Sequence, residues 1–376
     1  MRCVIAGGGT GGHLFPGLAV AEAFVEKELG NEILFIGTEQ GIESRVLPGG
    51  RFPLRMIQAR PFKGKRFRAK VEAIWALPLA MFQALKILKK FQPHIVLGVG
   101  GYASAPAVLA AFLLGTKRAI HEQNLVPGMT NRLLRWFSHR IFVSFEETKK
   151  YFPERMTRVT GNPVRRAVLT CLSCEKTGWP ALEGKASWNG KGDRFILFVL
   201  GGSAGAHRIN VAMMDALSHL EKMKSSLRVI HQTGRGDFDF VSNGYEAKGF
   251  DALVRPFFDD MASCYGRADL VICRAGASTI AELAACGKAA LLIPYPYAAH
   301  QHQHLNAQKL VDRGAAMMIR DEGLNGTSLA QMIQQIYGHP EERAAMERAI
   351  RDMGHPNAAQ EIVEHCYALL EERHSV

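Results

Sequence analysis

The sequence predicts an α/β protein built from two doubly wound domains, each with a parallel sheet covered by helices. Three observations support this prediction. Short apolar strands alternate with helical segments, the alternation starts again after residue 193, and in each half the first strand runs into a glycine-rich loop. With 376 residues, 47% of them hydrophobic and 22% charged, the chain is long enough for two cores and has the composition of a folded protein.

The first domain is predicted at residues 1–162. Its first strand, at 4–6, leads into glycines, and a helical period follows at 17–29. The pattern further predicts strands at 32–37, 94–99, 118–121 and 141–144 and a helix at 105–114. Strands that are separated by helices imply parallel pairing.

The second domain is predicted at residues 194–356 and opens with a strongly apolar strand. The pattern then predicts strands at 227–232, 270–273 and 289–293 and helices at 278–286 and 301–313. Residues 163–193 contain two prolines and no clear period, which indicates a linker. We expect the last helix, about 357–376, to complete the first domain. Two such sheets facing a central cleft would bind a ligand at their carboxyl ends.

The positive charge is concentrated in the first half of the chain. Residues 1–162 contain 23 Lys and Arg against 11 Asp and Glu, a net charge of +12, whereas residues 163–376 contain 23 against 24, a net charge of −1. This asymmetry predicts an anionic partner for the first domain, either nucleic acid or anionic lipid. No apolar run approaches the ~20 residues of a membrane span and no leader-like segment opens the chain, so we expect a cytoplasmic protein.

Neither disulfides nor a metal are predicted. The seven cysteines are odd in number and scattered, and Cys171 and Cys174 have a redox or zinc spacing without a second pair. His300, His302 and His304 alternate along a predicted helix, where such residues point about 200° apart and cannot converge on one ion. We therefore expect no metal and no cofactor.

The first glycine loop, residues 7–12, fits the dinucleotide pattern G-x-G-x-x-G. A dinucleotide site also needs an acidic residue at the end of the second strand, and Glu39 lies at an awkward distance from it. His13 follows the loop directly, at the entrance of the helix. It either caps the turn or meets a substrate there.

The second domain contains two candidate phosphate sites. The loop 201–206 combines three glycines with the hydroxyl of Ser203 ahead of a helix, which favours an anion. The segment 273–282 also places backbone N–H groups at the end of a strand. Glu282 lies on the same helix face as Ser278, where its carboxylate either accepts bonds from two vicinal hydroxyls or only satisfies the helix dipole.

A basic and apolar segment, residues 60–90, carries nine Lys and Arg and one acidic residue. A helix there would align Trp75, Leu79 and Phe82 in one stripe, which suits an anionic bilayer surface better than nucleic acid. The alternative is a core helix beside a basic loop. The candidate cations are Lys63, Lys65, Arg66, Arg68 and Lys70.

These segments together resemble the MurG family of bacterial N-acetylglucosaminyltransferases, which convert lipid I to lipid II in peptidoglycan synthesis. The motifs occur in family order across almost the whole chain. They are residues 8–17, 98–102, 121–124, 161–165, 201–203 and 274–282.

The resemblance implies a GT-B fold and an inverting transfer from UDP-N-acetylglucosamine (UDP-GlcNAc) to the C4 hydroxyl of lipid I. It implies His13 as the candidate base, with Glu122 in reserve, and acceptor contacts near Tyr102. A glutamine pair common in some members is His302-Gln303 here, so only Gln303 is carried over. The implied donor-binding residues are Thr10, Gly11, Gly12, Asn124, Arg165, Ser203, Phe258 (through its backbone, at the uracil), Arg274, Ala277, Ser278, Thr279, Ile280, Ala281, Glu282 and Gln303.

The resemblance also implies a peripheral protein on the cytoplasmic side of the inner membrane, which would meet other cell-wall and division proteins. Four alternatives remain at this point. They are a related lipid glycosyltransferase, a UDP-sugar epimerase of the same fold, an NAD-dependent dehydrogenase using the first glycine loop, and a non-enzymatic membrane or nucleic-acid scaffold.

Overall fold

The computed structural model describes residues 1–59, 67–170, 194–202 and 205–372, without the side chains of 67–76 and 300. The chain forms two compact units. The first comprises Met1–Arg165 and His355–Val376, and the second comprises Arg166–Gly354. Each unit contains one parallel sheet, so the predicted fold class is confirmed.

The first unit has a seven-stranded sheet in the order β3-β2-β1-β4-β5-β6-β7. Its strands are β1 (Arg2–Ala6), β2 (Glu32–Gly37), β3 (Leu54–Met56), β4 (Ile95–Gly98), β5 (Lys117–Glu122), β6 (Arg140–Val143) and β7 (Thr157–Val159). Its helices are α1 (Gly11–Lys27), α2 (Glu43–Val46), α3 (Phe67–Phe91), α4 (Ser104–Leu113), α5 (Met129–Leu134) and, from the end of the chain, α14 (Ala358–Glu371).

Alternation along β1 produces the two cores of this unit. Cys3 and Ile5 face the core that contains α1 and α14, whereas Val4 and Ala6 face the core that contains α4. Helix α14 packs against α1 and buries Ile362 in the first core. The final helix is therefore part of the first unit.

The second unit has a six-stranded sheet in the order β10-β9-β8-β11-β12-β13. Its strands are β8 (Phe195–Leu200), β9 (Leu227–Gln232), β10 (Ala252–Arg255), β11 (Leu270–Cys273), β12 (Ala290–Leu292) and β13 (Met317–Met318). Its helices are α6 (Arg166–Leu169), α7 (His207–Ala216), α8 (Phe238–Lys248), α9 (Met261–Arg267), α10 (Ala277–Cys286), α11 (His302–Val311), α12 (Gly326–Gly338) and α13 (Pro340–Arg351).

Two predicted boundaries differ from the structure. Helix α1 begins at Gly11 rather than at residue 17, since first-turn N–H groups need no partner within the helix and glycines are tolerated there. The predicted linker contains the short helix α6, which packs against α9 and α10 and so belongs to the second unit. Residues 171–193 of the predicted linker, which include Cys171 and Cys174, lie outside the described residues.

The cysteines in the described residues, Cys3, Cys264, Cys273, Cys286 and Cys366, are buried thiols without disulfide bonds. Burial raises the pKa of Cys264 and of Cys366 to about 12. Within the described part of the chain, no helix has both the length and the apolar character needed to cross a bilayer.

Candidate active site

The glycine loop of the first unit is held by a buried carboxylate that sequence reasoning missed. Glu43, at the start of α2, is 1% exposed, and its Oε2 accepts the Gly9 N–H at 2.7 Å. Its Oε1 accepts both the N–H and the hydroxyl of Thr38, at 2.8 and 3.1 Å. The carboxylate ties the loop after β1 to the end of β2.

This contact explains the glycines around it. A Cβ on Gly8 or Gly41 would lie 2.1–2.3 Å from the Glu43 carboxylate. Gly8 and Gly9 also have φ values of +144° and +87°, which favour glycine. Because an anion already accepts the loop N–H of Gly9, a dinucleotide pyrophosphate is a poor fit here.

His13 lies in the first turn of α1, whose N-cap is the exposed Thr10. Its ring packs on Gly100, where an added Cβ would lie 2.8 Å from ring atoms Cε1 and Nδ1. The ring also makes a polar contact, since its Nδ1 lies 3.2 Å from Oε1 of Gln123. The predicted base is therefore held by its neighbours in a defined orientation.

Gln123 belongs to a buried polar chain. Its Nε2 donates to the Val99 carbonyl at 2.8 Å and lies 3.1 Å from Nδ1 of His121. His121 in turn contacts the Gly161 carbonyl through Nε2 at 3.1 Å. Burial lowers the pKa of His121 to about 4, with a smaller contribution from the nearby His13, so its ring is neutral at pH 7.

Glu122, the reserve base, is engaged by its own loop. Its Oε1 accepts the backbone N–H and the side-chain amide of Asn124 at 3.0 and 3.2 Å. Its Oε2 accepts the Gly128 N–H at 3.0 Å and the Asn131 amide at 2.8 Å. A 2% exposed carboxylate with four donors fits a role in shaping the Asn124 loop better than one in proton transfer.

Two other predicted residues contact the same end of the unit. The guanidinium of Arg165 lies 4.3 Å from the ring centroid of Phe15 in α1. The half-exposed ring of Tyr102 lies beside Gly9, where an added Cβ would be 3.7 Å away. Both residues were candidates from the sequence, and in the first unit both lie beside the glycine loop or the helix that follows it.

In the second unit, α10 begins directly after β11 with Gly276 as its N-cap. Gly276 has no side chain with which to cap the helix, and no acidic residue lies in the first turn. The N–H groups of Ala277, Ser278 and Thr279 have no acceptors within the helix and favour an anion there. In the other predicted loop, Gly202 and Gly205 have positive φ, and Ser203 lies outside the described residues.

The carboxylate of Glu282 is fixed by a tyrosine in the same helical layer. Tyr265 donates its hydroxyl to Oε2 at 2.9 Å, and both residues are buried. Burial and the nearby carboxylate raise the pKa of Tyr265 well above its usual value, so the phenol remains a donor. Sequence reasoning identified Glu282 but missed Tyr265, because the two lie on different helices.

The backbone at Phe258 is already engaged. Its N–H donates to Oε1 of Gln232 at 3.0 Å, while Nε2 of Gln232 donates to the Gly202 carbonyl at 3.1 Å. The side chain of Phe258 is buried against Phe198. A uracil that used this N–H would have to replace Gln232 as its acceptor.

Arg274 is also differently engaged from the prediction. Its Nη1 donates to Oδ1 of Asp321 at 2.7 Å and to the carbonyls of Ile293 and Pro294 at 3.1 and 3.3 Å. These contacts hold Arg274 against the loop after β12. Asp321 also pairs with Arg208, whose Nε lies 3.0 Å from its Oδ2, so one carboxylate is shared by two cations. A contact of Arg274 with the donor stays a prediction. Asp321 was missed because it lies 47 residues further along the chain.

Gln303 lies on α11 and accepts the Tyr295 N–H at 2.9 Å through its side-chain oxygen. His302, the residue before it, has Nδ1 2.7 Å from the Ala299 carbonyl. Among the residues with described side chains, no three His, Cys, Asp or Glu come together as a metal-binding group.

The predicted membrane helix is part of α3. Leu79 and Phe82 are 46% and 53% exposed. The side chains of Arg68, Lys70 and Trp75 and all of Lys63, Lys65 and Arg66 lie outside the described residues. Helix α4 packs against both α3 and α5. Exposed apolar side chains also lie on α5 and on the short helix after it, namely Met129, Leu133 and Trp136.

Both units have the doubly wound parallel sheets, with polar residues at their carboxyl ends, that the GT-B class of glycosyltransferases shares, and two family models and a solved structure place the chain in this class. The chain belongs to glycosyltransferase family 28. The model of the N-terminal domain of this family matches residues 3–143, and the model of its C-terminal domain matches residues 196–362. Membership of this family contradicts the dehydrogenase hypothesis.

The relatives are similar over nearly their full length. A UDP-N-acetylglucosamine–N-acetylmuramyl-(pentapeptide) pyrophosphoryl-undecaprenol N-acetylglucosamine transferase of Myxococcus xanthus is 46% identical, covering 98% of this chain and 93% of that protein. Its counterpart in Citrifermentans bemidjiense is 49% identical, covering 96% and 98%. The crystal structure of Acinetobacter baumannii MurG matches with a TM-score of 0.74 at 30% identity, covering 98% of this chain and 99% of that one.

Proposed function

We propose that this chain transfers N-acetylglucosamine from UDP-GlcNAc to the C4 hydroxyl of the N-acetylmuramyl residue of undecaprenyl-pyrophosphoryl-N-acetylmuramyl-pentapeptide. In peptidoglycan synthesis this step converts lipid I to lipid II. The observation that carries the proposal is 46–49% identity, over almost the whole chain, to transferases with that specificity in their names.

The second unit supplies the chemistry that UDP needs. The N-terminus of α10, which follows a glycine and has no acidic residue in its first turn, suits the diphosphate, and the buried carboxylate of Glu282 suits the two ribose hydroxyls. Gln303 and Asn124 are amides that suit sugar hydroxyls. Helix N–H groups can also stabilise the departing UDP, so no metal or cofactor is required in this proposal.

The first unit supplies the base. The acceptor C4 oxygen attacks C1 of the donor sugar while the bond from C1 to the diphosphate oxygen breaks. The hydroxyl proton passes to His13 and UDP leaves, with inversion at C1. His13 suits this role because an imidazole accepts a proton near neutral pH and its ring is held by Gln123 and Gly100.

We further propose that the first unit docks on the cytoplasmic face of the inner membrane, where its lipid acceptor resides. The docking surface consists of Leu79, Phe82, Met129, Leu133 and Trp136, all exposed apolar side chains. Cations accompany them, since Lys86 lies over the Phe82 ring at 4.5 Å and Arg135 over the Trp136 ring at 4.7 Å. Apolar side chains flanked by cations suit an anionic bilayer.

The function is tested by following UDP release from UDP-GlcNAc with lipid I, with undecaprenyl phosphate as the acceptor-free control. We expect release that depends on lipid I and a product that carries the new disaccharide. UDP release at the same rate without lipid I, or epimerised UDP-sugar instead of disaccharide, would contradict the proposal. His13→Gln should lower kcat by a factor of about 10²–10⁴, the usual contribution of a general base.

A further inference from the structure

In the hydrogen bonds around His13, backbone carbonyls determine which atoms donate and which accept. Nε2 of Gln123 lies 2.8 Å from the Val99 carbonyl oxygen, which can only accept. The amide nitrogen of Gln123 must therefore point toward Val99. Its oxygen, which can only accept, then faces Nδ1 of His13 at 3.2 Å, and the proton of that hydrogen bond must belong to His13.

The hydrogen bonds on the other side of Gln123, which join it to His121 and Gly161, require the same orientation of the amide. Nε2 of His121 lies 3.1 Å from the Gly161 carbonyl, so Nε2 carries the proton of the neutral ring. Nδ1 of His121 is then an acceptor and receives the second amide hydrogen of Gln123 at 3.1 Å. Reversing the Gln123 amide would place its oxygen against two acceptors, the Val99 carbonyl and Nδ1 of His121.

We infer that Gln123 is a positioning residue that fixes the tautomer of His13, with the proton on Nδ1, so that Nε2 carries the lone pair that accepts the acceptor's hydroxyl proton. This inference rests on the proposed role of His13 as the base. Val99 and His121 act through Gln123 by holding its amide in one orientation. In a neutral imidazole only one nitrogen can accept a proton, so the tautomer decides which ring atom is the base.

Burial makes the arrangement effective. Gln123 and His121 are each 1% exposed, so water does not compete for the amide oxygen or for the ring nitrogens. The face of the His13 ring near Nδ1 and Cε1 is closed by Gly100, which limits rotation of the ring away from Gln123. A side chain in place of Gly100 would push the ring out of this position.

A matched pair of variants, Gln123→Met and Gln123→Glu, tests the inference. Both lose the amide hydrogens that Gln123 gives to Val99 and His121, and urea unfolding of each variant measures the structural damage. Only Gln123→Glu keeps an oxygen that accepts the Nδ1 proton of His13. We expect Gln123→Met to lower kcat about 10-fold or more, with the KM for UDP-GlcNAc changed less than about 3-fold, and Gln123→Glu to keep several-fold more activity than Gln123→Met.

A second readout does not depend on turnover. Nitrogen-15 chemical shifts of the histidine rings, with His13 assigned by loss of its signals in His13→Gln, report the tautomer directly. We expect the Nδ1–H form in the wild type and a shift toward Nε2–H in Gln123→Met. A wild-type His13 protonated on Nε2, an unchanged tautomer in Gln123→Met, or equal kcat in the two variants would overturn the inference. If His13→Gln keeps full turnover while the wild-type tautomer is as expected, the proposed base is wrong and the role assigned to Gln123 fails with it.

Discussion

The carboxylate of Glu43 occupies the space that a side chain on Gly8 would need, since a Cβ on Gly8 would lie 2.3–2.5 Å from the carboxylate atoms. The same carboxylate accepts the Gly9 N–H, four residues before His13. The loop that leads to the candidate base is thus shaped by a buried acid from α2.

Glu43→Gln is expected to lower both stability and turnover. Its amide group would face either the Gly9 N–H or the Thr38 donors, leaving a buried donor unsatisfied at a cost of about 1–3 kcal/mol. Because the loop is displaced, kcat should fall, and the KM for UDP-GlcNAc should change by a smaller factor. Urea unfolding and steady-state kinetics measure the two effects. The control is Glu39→Gln, an exposed carboxylate nearby, which should change the unfolding free energy by less than about 0.5 kcal/mol.

Tyr265→Phe is expected to raise the KM for UDP-GlcNAc about 3- to 10-fold, because Glu282 loses the hydroxyl that orients it. The matched control is Tyr245→Phe, another fully buried tyrosine of the second unit, whose hydroxyl lies 3.0 Å from Nδ1 of His231. That variant should lose comparable stability without a change in KM. Equal KM values for the two variants would rule out a positioning role of Tyr265 at the ribose.

The pair Arg274 and Asp321 is tested by a double-mutant cycle on the KM for UDP-GlcNAc and on stability. If Arg274 acts through the ion pair, the effects of Arg274→Met and Asp321→Asn should not add, with a coupling energy of about 0.5–3 kcal/mol. Asp321→Asn should be the more damaging of the two, because it also breaks the pair of Asp321 with Arg208. If Arg274 contacts the diphosphate instead, Arg274→Met alone should raise KM. The cycle separates these two outcomes.

Stability is expected to fall as the pH is lowered from about 6.5 toward 4. Burial lowers the pKa of His121 to about 4 and that of His231 to about 3, whereas both should titrate near 6.5 when unfolded. In this window the unfolded chain binds more protons than the folded one, so each histidine gives the free energy of unfolding a slope of about 1.4 kcal/mol per pH unit. The stability that each buried neutral histidine contributes is fully present above pH 6.5 and is lost as the pH falls toward its folded pKa. Urea unfolding at several pH values should give a smaller slope for His231→Gln than for the wild type. Identical slopes would contradict the assignment.

Membrane docking predicts that Leu133→Ser and Trp136→Ser, combined, weaken binding to vesicles containing anionic phosphatidylglycerol several-fold, because burial of each large apolar side chain contributes about 1.5–3 kcal/mol at most. The control is Phe240→Ser, an equally exposed aromatic residue in the second unit. Binding should also weaken with salt and with neutral lipid. A double variant that binds like the control would place docking elsewhere.

Much of the site could be predicted because it follows strand ends. Parallel strands bring the residues after them to one edge of the sheet, so the loop before His13, the segment after His121 and the helix that carries Glu282 were recognisable as candidates. The period of the sequence likewise located most strands, since their residues are buried on both faces. Both signals depend only on residues that are close in the sequence, so they can be recognised without knowing the tertiary contacts.

What the sequence by itself determined is the two-unit α/β fold, its family and the identity of the side chains at the sheet ends. Only the tertiary structure decided their states. It showed that Glu43 accepts the Gly9 N–H, that Gln123 lies at hydrogen-bond distance from His13, that Tyr265 donates to Glu282 and that Arg274 pairs with Asp321. The physical reason is that each state depends on a hydrogen bond between residues separated by 17 to 110 positions, and the period of a helix or strand carries no information about such partners.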